Sequence, residues 1–164
     1  MQKLIILLFI TFLVGCSPAY FQPQQPGKEY LDLIKDWQDR ILQEGWNESF
    51  VDEIMAKCVF LSKYKADPKG MDHWMTYREF IDTFQGDCED IAAFMYGTLK
   101  RLNYPEPIRM RILRMPMGDH AVVMVRSANG RWKMFNSVPT PGQFIDLAFS
   151  RILVEWDDER IYYP

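Results

Sequence analysis

A cysteine stands among carboxylates in the stretch FQGDCEDIAAFMYGTLKRL, residues 84–102. Apolar residues at helical spacing from Ile91 onward predict an amphipathic helix. Asp87 suits the N-cap position, and Asp90, three residues later, completes a capping box. Cys88 is then the first residue of the helix, where unpaired N–H groups and the positive end of the helix dipole favour a thiolate. The pattern makes Cys88 a candidate nucleophile.

The carboxylates of the GDCED block oppose this ionisation, because negative charge near a thiol raises its pKa. The helix dipole alone is not expected to outweigh them, so an ionised Cys88 requires a cationic partner. The chain has two histidines. His120 opens the predicted strand HAVVMVRS, whereas His73 lies in an aromatic segment with no patterned partner. We therefore expect His120 to serve Cys88, and His73 to have a surface or core position.

The predicted hairpin after His120 supplies a third polar residue, which a cysteine–histidine pair needs to orient the imidazole. If residues 128–130 form a three-residue loop, Val122 faces Asn136. His120 is then the diagonal neighbour of Asn136 on the same face, roughly 7 to 8 Å away. A two-residue turn would shift the register by one and place the two side chains on opposite faces. Asn136 can therefore join Cys88 and His120 in a candidate triad only if the turn has three residues.

Helical periodicity comes first along the chain, and strand periodicity follows. Residues 29–42 predict an amphipathic helix that Gly45 ends, and a second helix begins after the cap residue Asn47. The aromatic segment 71–86 is predicted to be an irregular approach to the site. After Pro107 the period changes to two, in the stretches IRMRIL, HAVVMVRS, GRWKMFNS and RILVEW. This order predicts an α+β fold rather than a doubly wound parallel sheet.

Composition indicates a single domain. At 164 residues with 48% hydrophobic content, the chain is long enough to bury one core and short for two. The net charge is −3, and the sequence has no run of Lys and Arg, which argues against nucleic acid as a partner. We expect a monomer.

The start of the chain, MQKLIILLFITFLVGC, has the layout of a secretory signal. A basic Lys3 precedes the apolar run Leu4–Val14, which is too short to cross a bilayer as a helix. Residues 1–15 are therefore predicted to be a signal peptide. The uncharged segment 16–27, rich in Pro and Gln, is predicted to be a linker, and residues 28–164 form the domain.

The residues LVGC, Leu13–Cys16, resemble the lipobox of bacterial lipoproteins, whose cysteine becomes the acylated first residue of the mature protein. The resemblance implies lipidation of Cys16 with fatty acyl chains such as palmitate, and anchoring in the bacterial cell envelope. Ser17 is similar to the outer-membrane sorting pattern of Gram-negative lipoproteins, which implies a domain facing the periplasm. An ordinary secreted protein with Cys16 near its cleavage site is the alternative.

Four blocks resemble the transglutaminase-like branch of the papain-like cysteine enzymes, and within it the bacterial transglutaminase-like cysteine peptidases. The blocks are WMTYREF, GDCEDIA, GDHAVVMV and WKMFNS, and they cover about residues 74–137. The resemblance implies a papain-like α+β core in which the antiparallel sheet packs on the nucleophile helix. It also implies an envelope protein or peptide as substrate.

The resemblance assigns a role to each member of the candidate triad. It implies Cys88 as nucleophile, His120 as general base and then acid, and Asn136 as the residue that orients the imidazole. This branch usually has Asp in the third place, whereas Asn is the papain-type residue. The implied reaction is amide hydrolysis through a thioester, with the Cys88 backbone N–H in the oxyanion hole. Transfer of the acyl group to an amine, or a non-catalytic lipoprotein binding or assembly module, are the alternatives.

Two further alternatives concern the neighbourhood of Cys88. No cofactor is expected, but some related peptidases bind calcium through carboxylates beside the nucleophile. Asp87, Glu89 and Asp90 could be such ligands, although helix capping explains two of them. In an oxidising compartment Cys88 could instead form a disulfide with Cys58. The sequence favours the reactive thiol, since Cys58 falls on the apolar face of a predicted helix.

Overall fold

The computed structural model describes residues 26–116, 118–137 and 151–163. The predicted signal peptide, the lipobox with Cys16 and nearly all of the linker lie outside these residues. The elements in chain order are α1 (Pro26–Glu44), α2 (Glu48–Leu61), β1 (Lys63–Tyr64), α3 (Tyr77–Thr83), β2 (Gln85–Gly86), α4 (Cys88–Arg101), β3 (Ile108–Met115), β4 (Gly118–Arg126), β5 (Trp132–Asn136), β6 (Arg151–Trp156) and β7 (Ile161–Tyr162). None of the described helices is both long and apolar enough to cross a membrane.

Both predicted helices form, although α1 begins at Pro26, three residues before the predicted start and within the predicted linker. α1 ends just before Gly45, whose φ of +72° is a conformation that glycine adopts without a steric penalty. The side chain of Asn47 accepts a hydrogen bond from the N–H of Phe50 at 2.9 Å and caps α2. Local chemistry therefore determines the end of α1 and the start of α2.

The segment 71–86 is not irregular throughout, and the prediction for it is wrong over seven residues. α3 forms there because Thr76 and Glu79 make a capping box. The N–H of Thr76 donates to the Glu79 carboxylate at 2.7 Å, and the N–H of Glu79 donates to the Thr76 hydroxyl at 3.3 Å. This T-x-x-E signal was present in the sequence, but the density of aromatic residues obscured it.

The sheet has the strand order β5-β4-β3-β6-β7 among the described residues, and its pairs are antiparallel. In the β4–β5 hairpin the N–H of Ser127 donates to the carbonyl of Arg131 at 2.8 Å, and Gly130 has a φ of +82°. This is the three-residue loop that the register argument requires. Val122 accordingly pairs with Asn136, which confirms the predicted register.

α4 packs on one face of this sheet and forms the main core with it. Ala121 and Val123 of β4 lie in the same buried cluster as Phe94 of α4. The opposite face of β4 contributes Val122 to a second, smaller cluster with residues of β3. The α+β architecture with an antiparallel sheet on the nucleophile helix is confirmed, and it brings the start of β4 to the start of α4.

Candidate active site

The start of α4 is held by a buried carboxylate. Asp90, whose exposed fraction is 1%, accepts hydrogen bonds from the N–H of Met75 at 2.7 Å and the N–H of Asp87 at 3.3 Å. The bond from Asp87 is the returning half of the predicted capping box. The bond from Met75 ties the preceding loop to the helix. Asp90 is thus a structural residue, and its carboxylate is not available as the calcium ligand considered from the sequence.

Gly86 makes room for this carboxylate. A Cβ atom added at Gly86 would lie 2.5 Å from both Cβ and Oδ2 of Asp90, a distance that atoms do not tolerate. The glycine of the GDCED block is therefore required for the cap of the helix that begins at Cys88, and no chemical role is needed to explain it.

Cys88 is the first residue of α4, as predicted, and its thiol donates a hydrogen bond to the Glu89 carboxylate at 3.2 Å. Burial raises the pKa of the Cys88 thiol to about 12, and the charges of Glu89 and Asp87 act in the same direction. A backbone hydrogen bond from Ala121 opposes them. At neutral pH these surroundings favour the protonated thiol. The helix dipole therefore does not outweigh burial and the neighbouring negative charges, which raise the pKa of Cys88.

Asp87 is the least satisfied group of the site. Its Oδ1 atom is buried and has no hydrogen-bond partner among the described residues. Burial raises the pKa of Asp87 to about 7, and the negative charges of Glu89 and Asp67 add to the shift. Ionising a carboxylate in such a position is costly unless a cation compensates its charge.

His120 and Asn136 meet as the hairpin register predicts. Nε2 of His120 lies 2.8 Å from Oδ1 of Asn136. Because a carbonyl oxygen can only accept, Nε2 carries the proton in this pair, and the lone pair of the imidazole is left on Nδ1. Asn136 therefore fixes both the tautomer and the orientation of the ring.

Within the described residues, Cys88 is linked to this pair only through the backbone of β4. Cys88 contacts the backbone of Ala121, and Ala121 directly follows His120. In the part of the chain that the structure describes, no hydrogen bond joins the Cys88 sulfur to the imidazole. Cys88 is thus brought next to the residue that follows His120, whereas the His120–Asn136 pair lies on the face of β4 that carries Val122, opposite the face that packs on α4. Catalytic hydrogen bonds are often long in the absence of substrate.

The remaining sequence candidates fall outside this group. Cys58 and Cys88 are both free, so the alternative of a disulfide between them is not formed, and Cys58 is fully buried in the core. His73 is exposed, and its backbone N–H donates to the Asp67 carboxylate. Trp74 is 46% exposed and packs on Trp156, with ring centroids 5.8 Å apart.

Tyr64, which lies close to Cys88, is not identified from the sequence. β1 pairs with β2 in parallel, with Tyr64 in register with Gly86, two residues before Cys88. A strand of two residues has no measurable periodicity, and the pairing joins segments about twenty residues apart, so no local signal could have located it.

The site contains carboxylates but no complete metal-binding group of the usual kind. Among residues 26–116, 118–137 and 151–163, no set of three or more His, Cys, Asp or Glu side chains is arranged to hold a metal ion. Asp87 and Glu89 remain as two carboxylates that flank Cys88.

We expect Asp87→Asn to increase the free energy of unfolding at pH 8 in the presence of EGTA. The raised pKa of Asp87 means that the folded chain binds a proton more tightly than the unfolded chain does. Stability therefore falls as the pH rises from about 4 to about 7, and a neutral carboxamide avoids this loss. The gain should shrink toward pH 4. Urea unfolding followed by circular dichroism at several pH values measures it.

Asp90→Asn is the matched control, and it should have the opposite effect. The carboxamide NH₂ cannot accept a hydrogen bond, so the N–H of either Met75 or Asp87 loses its partner, at a cost of about 1–3 kcal/mol. A loss of stability on Asp87→Asn at pH 8 would contradict the assignment of Asp87 as the uncompensated group.

Comparison with solved structures finds the same fold in other proteins. Calcium-bound Legionella pneumophila LapG, a transglutaminase-like cysteine protease, superposes with a TM-score of 0.67 at 17% identity, over 85% of this chain and 81% of LapG. EGTA-treated LapG gives 0.67 and 17%, over 84% and 77%. A candidate cysteine protease from Cytophaga hutchinsonii gives 0.57 and 15%, over 87% of this chain and 49% of that protein.

Sequence comparison adds nothing to this result, since neither a protein-family model nor a curated protein sequence matches the chain. The structural likeness is below 25% identity and therefore concerns the architecture. The chain has the α+β fold of LapG, in which an antiparallel sheet packs on a central helix.

Proposed function

We propose that the chain is a cysteine-dependent amide hydrolase of the transglutaminase-like type, with Cys88 as nucleophile, His120 as general base and acid, and Asn136 as the orienting residue. The observation that carries the proposal is the 2.8 Å contact between His120 and Asn136 beside the backbone segment that Cys88 contacts. The likeness to LapG, a cysteine protease of this type, supports the same activity.

The mechanism follows from the tautomer. Because Asn136 holds the Nε2–H of His120, the lone pair of the imidazole is on Nδ1. Nδ1 accepts the thiol proton as the Cys88 sulfur attacks the substrate carbonyl. Since the surroundings keep the thiol protonated, proton transfer accompanies the attack and no standing ion pair is needed. The ring must approach the sulfur for this step, by a side-chain rotation or on substrate binding.

The remaining steps use groups of the same region. As the first residue of α4, Cys88 has a backbone N–H with no acceptor within the helix, and this N–H can stabilise the oxyanion. The imidazolium of His120 then gives its Nδ1 proton to the leaving amine, which leaves a thioester on Cys88. Water, deprotonated by the same nitrogen, hydrolyses the thioester and restores the free thiol.

Asn136 holds the imidazole but adds no negative charge. An aspartate in this place would stabilise the imidazolium that forms during the reaction, whereas a carboxamide only orients the ring. A neutral carboxamide in this place matches the papain-type arrangement.

We also propose that Asp87 and Glu89 hold a calcium ion. The buried Oδ1 of Asp87 has no partner among the described residues, and burial together with the charge of Glu89 raises the pKa of this carboxyl. Calcium prefers carboxylate oxygens and completes its shell with backbone carbonyls and water. LapG itself has calcium-bound and EGTA-treated forms. When bound, the ion would neutralise the two carboxylates that disfavour the Cys88 thiolate.

The lipid anchor is a further part of the proposal. Acylation of Cys16 would tether the domain to the bacterial envelope through the 16–27 linker, and would bring it close to envelope proteins as substrates. Cys16→Ser should move the chain from the membrane fraction to the soluble fraction after ultracentrifugation of lysed producing cells, and it should abolish incorporation of a clickable palmitate analogue. Retained palmitate labelling of the variant would contradict acylation at this position.

Cys88→Ala and His120→Ala should each abolish proteolysis, because one removes the nucleophile and the other the base. Asn136→Ala should lower the rate about 10–100-fold through loss of ring orientation, within the range for groups that assist proton transfer. The assay incubates purified chain with bacterial envelope proteins and counts new protein N-termini by mass spectrometry. Circular dichroism verifies that each variant is folded.

The same assay separates the alternative functions. New N-termini that depend on Cys88 indicate hydrolysis, whereas new isopeptide cross-links that depend on Cys88 indicate acyl transfer to amines. A non-catalytic binding module is favoured by the absence of a thiol–imidazole hydrogen bond among the described residues. Equal product formation by the wild type and Cys88→Ala would establish that the reaction does not use this cysteine.

Alkylation of Cys88 by iodoacetamide should be slow at neutral pH in EGTA, because only the thiolate reacts and the pKa of this thiol is raised to about 12. The double variant Asp87→Asn, Glu89→Gln should be alkylated faster, and Glu44→Gln, on the surface of α1, serves as the control. Mass spectrometry of the Cys88 peptide gives the rate at each pH. A wild-type midpoint below about 8.5, the value of a free cysteine, would contradict the raised pKa.

A further inference from the structure

Among the described residues, β1 is paired along one edge, and its other edge is open. The N–H groups of Lys63 and Lys65 donate to the carbonyls of Phe84 and Gly86, each at 2.8 Å, so both residues turn their amides toward β2. Backbone amides alternate in direction along a strand, and the N–H and C=O of Tyr64 therefore point to the other edge. The sheet that contains β1 comprises β1 and β2 alone among the described residues.

This open edge lies beside the nucleophile. Tyr64 is in register with Gly86, and Cys88 follows two residues later, about 7 Å farther along an extended chain. The Tyr64 side chain is 56% exposed. Burial raises the pKa of Tyr64, and the charges of Cys88 and its two flanking carboxylates raise it further, as expected for a phenol near the thiol.

We propose that the open edge of β1 is the substrate-binding edge, at which the N–H and C=O of Tyr64 hydrogen-bond the backbone of an extended peptide that leads to Cys88. The inference rests on the proposed function and names how its substrate is held. An extended peptide uses backbone groups for affinity in this mode and leaves its side chains to secondary pockets. The substrate must therefore present an unfolded segment, and a helical segment is excluded.

The dimensions fit such a peptide. A strand added to β1 lies about 4.8 Å from it, and each extended residue covers about 3.3 Å. The residue bound by Tyr64 is then two or three positions from the scissile bond. Lys63 and Lys65 are exposed and extend from the face opposite the Tyr64 side chain. Lysines on an edge strand oppose edge-to-edge pairing of whole chains, so they keep this edge open for a single peptide.

The probe for this edge is a tetra-alanine peptide with a C-terminal vinyl sulfone. The Cys88 sulfur adds to the vinyl carbon, the thiol proton goes to the neighbouring carbon, and no group leaves. Alanine side chains are small enough that backbone contacts dominate binding. Iodoacetamide, which modifies the same sulfur without a peptide, is the matched comparison.

Amide hydrogen exchange followed by NMR tests the contact in the wild type. The Tyr64 N–H should exchange at least about tenfold more slowly in the tetra-alanine adduct than in the carboxamidomethyl adduct, because a hydrogen bond now protects it. Unchanged exchange of this amide in the peptide adduct would overturn the inference while leaving the proposed function standing.

Variants give a second measurement. Tyr64→Pro removes the outward N–H and spares those of Lys63 and Lys65 that pair with β2. It should slow labelling by the peptide probe about threefold to tenfold, which corresponds to one lost hydrogen bond, without changing the iodoacetamide rate. Tyr64→Phe keeps the N–H and should label like the wild type. An equal loss toward both reagents would overturn the inference.

Failure of the proposed function has a different signature. If the peptide probe labels wild-type Cys88 no faster than it labels a cysteine in an unstructured peptide, and the iodoacetamide rate is equal for both thiols, the site does not bind peptide near a distinctive nucleophile. That result would overturn the hydrolase and the binding edge together. If the peptide probe labels the wild type and Tyr64→Pro equally rapidly, only the proposal about the open edge of β1 is overturned.

Discussion

The carboxylate of Asp90 accepts hydrogen bonds from two backbone N–H groups that belong to different segments, at Met75 and Asp87. One segment is the loop that precedes α3, and the other is the start of α4. Hydrogen bonds to a charged group contribute about 1.5–3 kcal/mol each, so this buried side chain fixes the position of the helix start against the loop. The place of Cys88, and the room provided by Gly86, depend on that arrangement.

Because of this constraint, the carboxylates of Asp87, Glu89 and Asp90 have different roles. Both backbone N–H groups near Asp90 donate to its carboxylate. Asp87 has a buried oxygen without a partner among the described residues, and Glu89 accepts a hydrogen bond from the Cys88 thiol. Two of the three carboxylates thus act against ionisation of the nucleophile. The start of α4 is therefore fixed in position while its charges disfavour a thiolate, and a cation beside Asp87 and Glu89 would reduce that electrostatic cost.

Much of the architecture could be predicted from local patterns. The caps at Asn47 and Asp87, the change of period after Pro107 and the hairpin register are all consequences of short-range chemistry, and they place His120 and Asn136 together. α3 was missed because its capping box lies within an aromatic stretch.

Other features of the site depend on contacts between segments distant in sequence. The pairing of β1 with β2, the bond from Met75 to Asp90 and the burial that raises the pKa of Cys88 all join such segments. Sequence spacing places Cys88 at a helix start among carboxylates, and it predicts that the helix dipole alone does not ionise the thiol. The folded chain adds burial, which is the largest cause of the raised pKa of Cys88 and which sequence spacing does not define.

The three-residue loop at 128–130 has a consequence for how the gene can vary. Surface loops usually tolerate insertions and deletions, since they change little of the core. Here the length of the loop determines which side chains of β5 lie on the same face of the sheet as His120. Removal of one loop residue would turn Asn136 to the opposite face, although both residues would still be in the sequence. The spacing of sixteen positions between them is therefore as much a part of the site as the two side chains are. The length of this hairpin would therefore distinguish related chains in which the histidine contacts the asparagine from chains that have both residues without the contact.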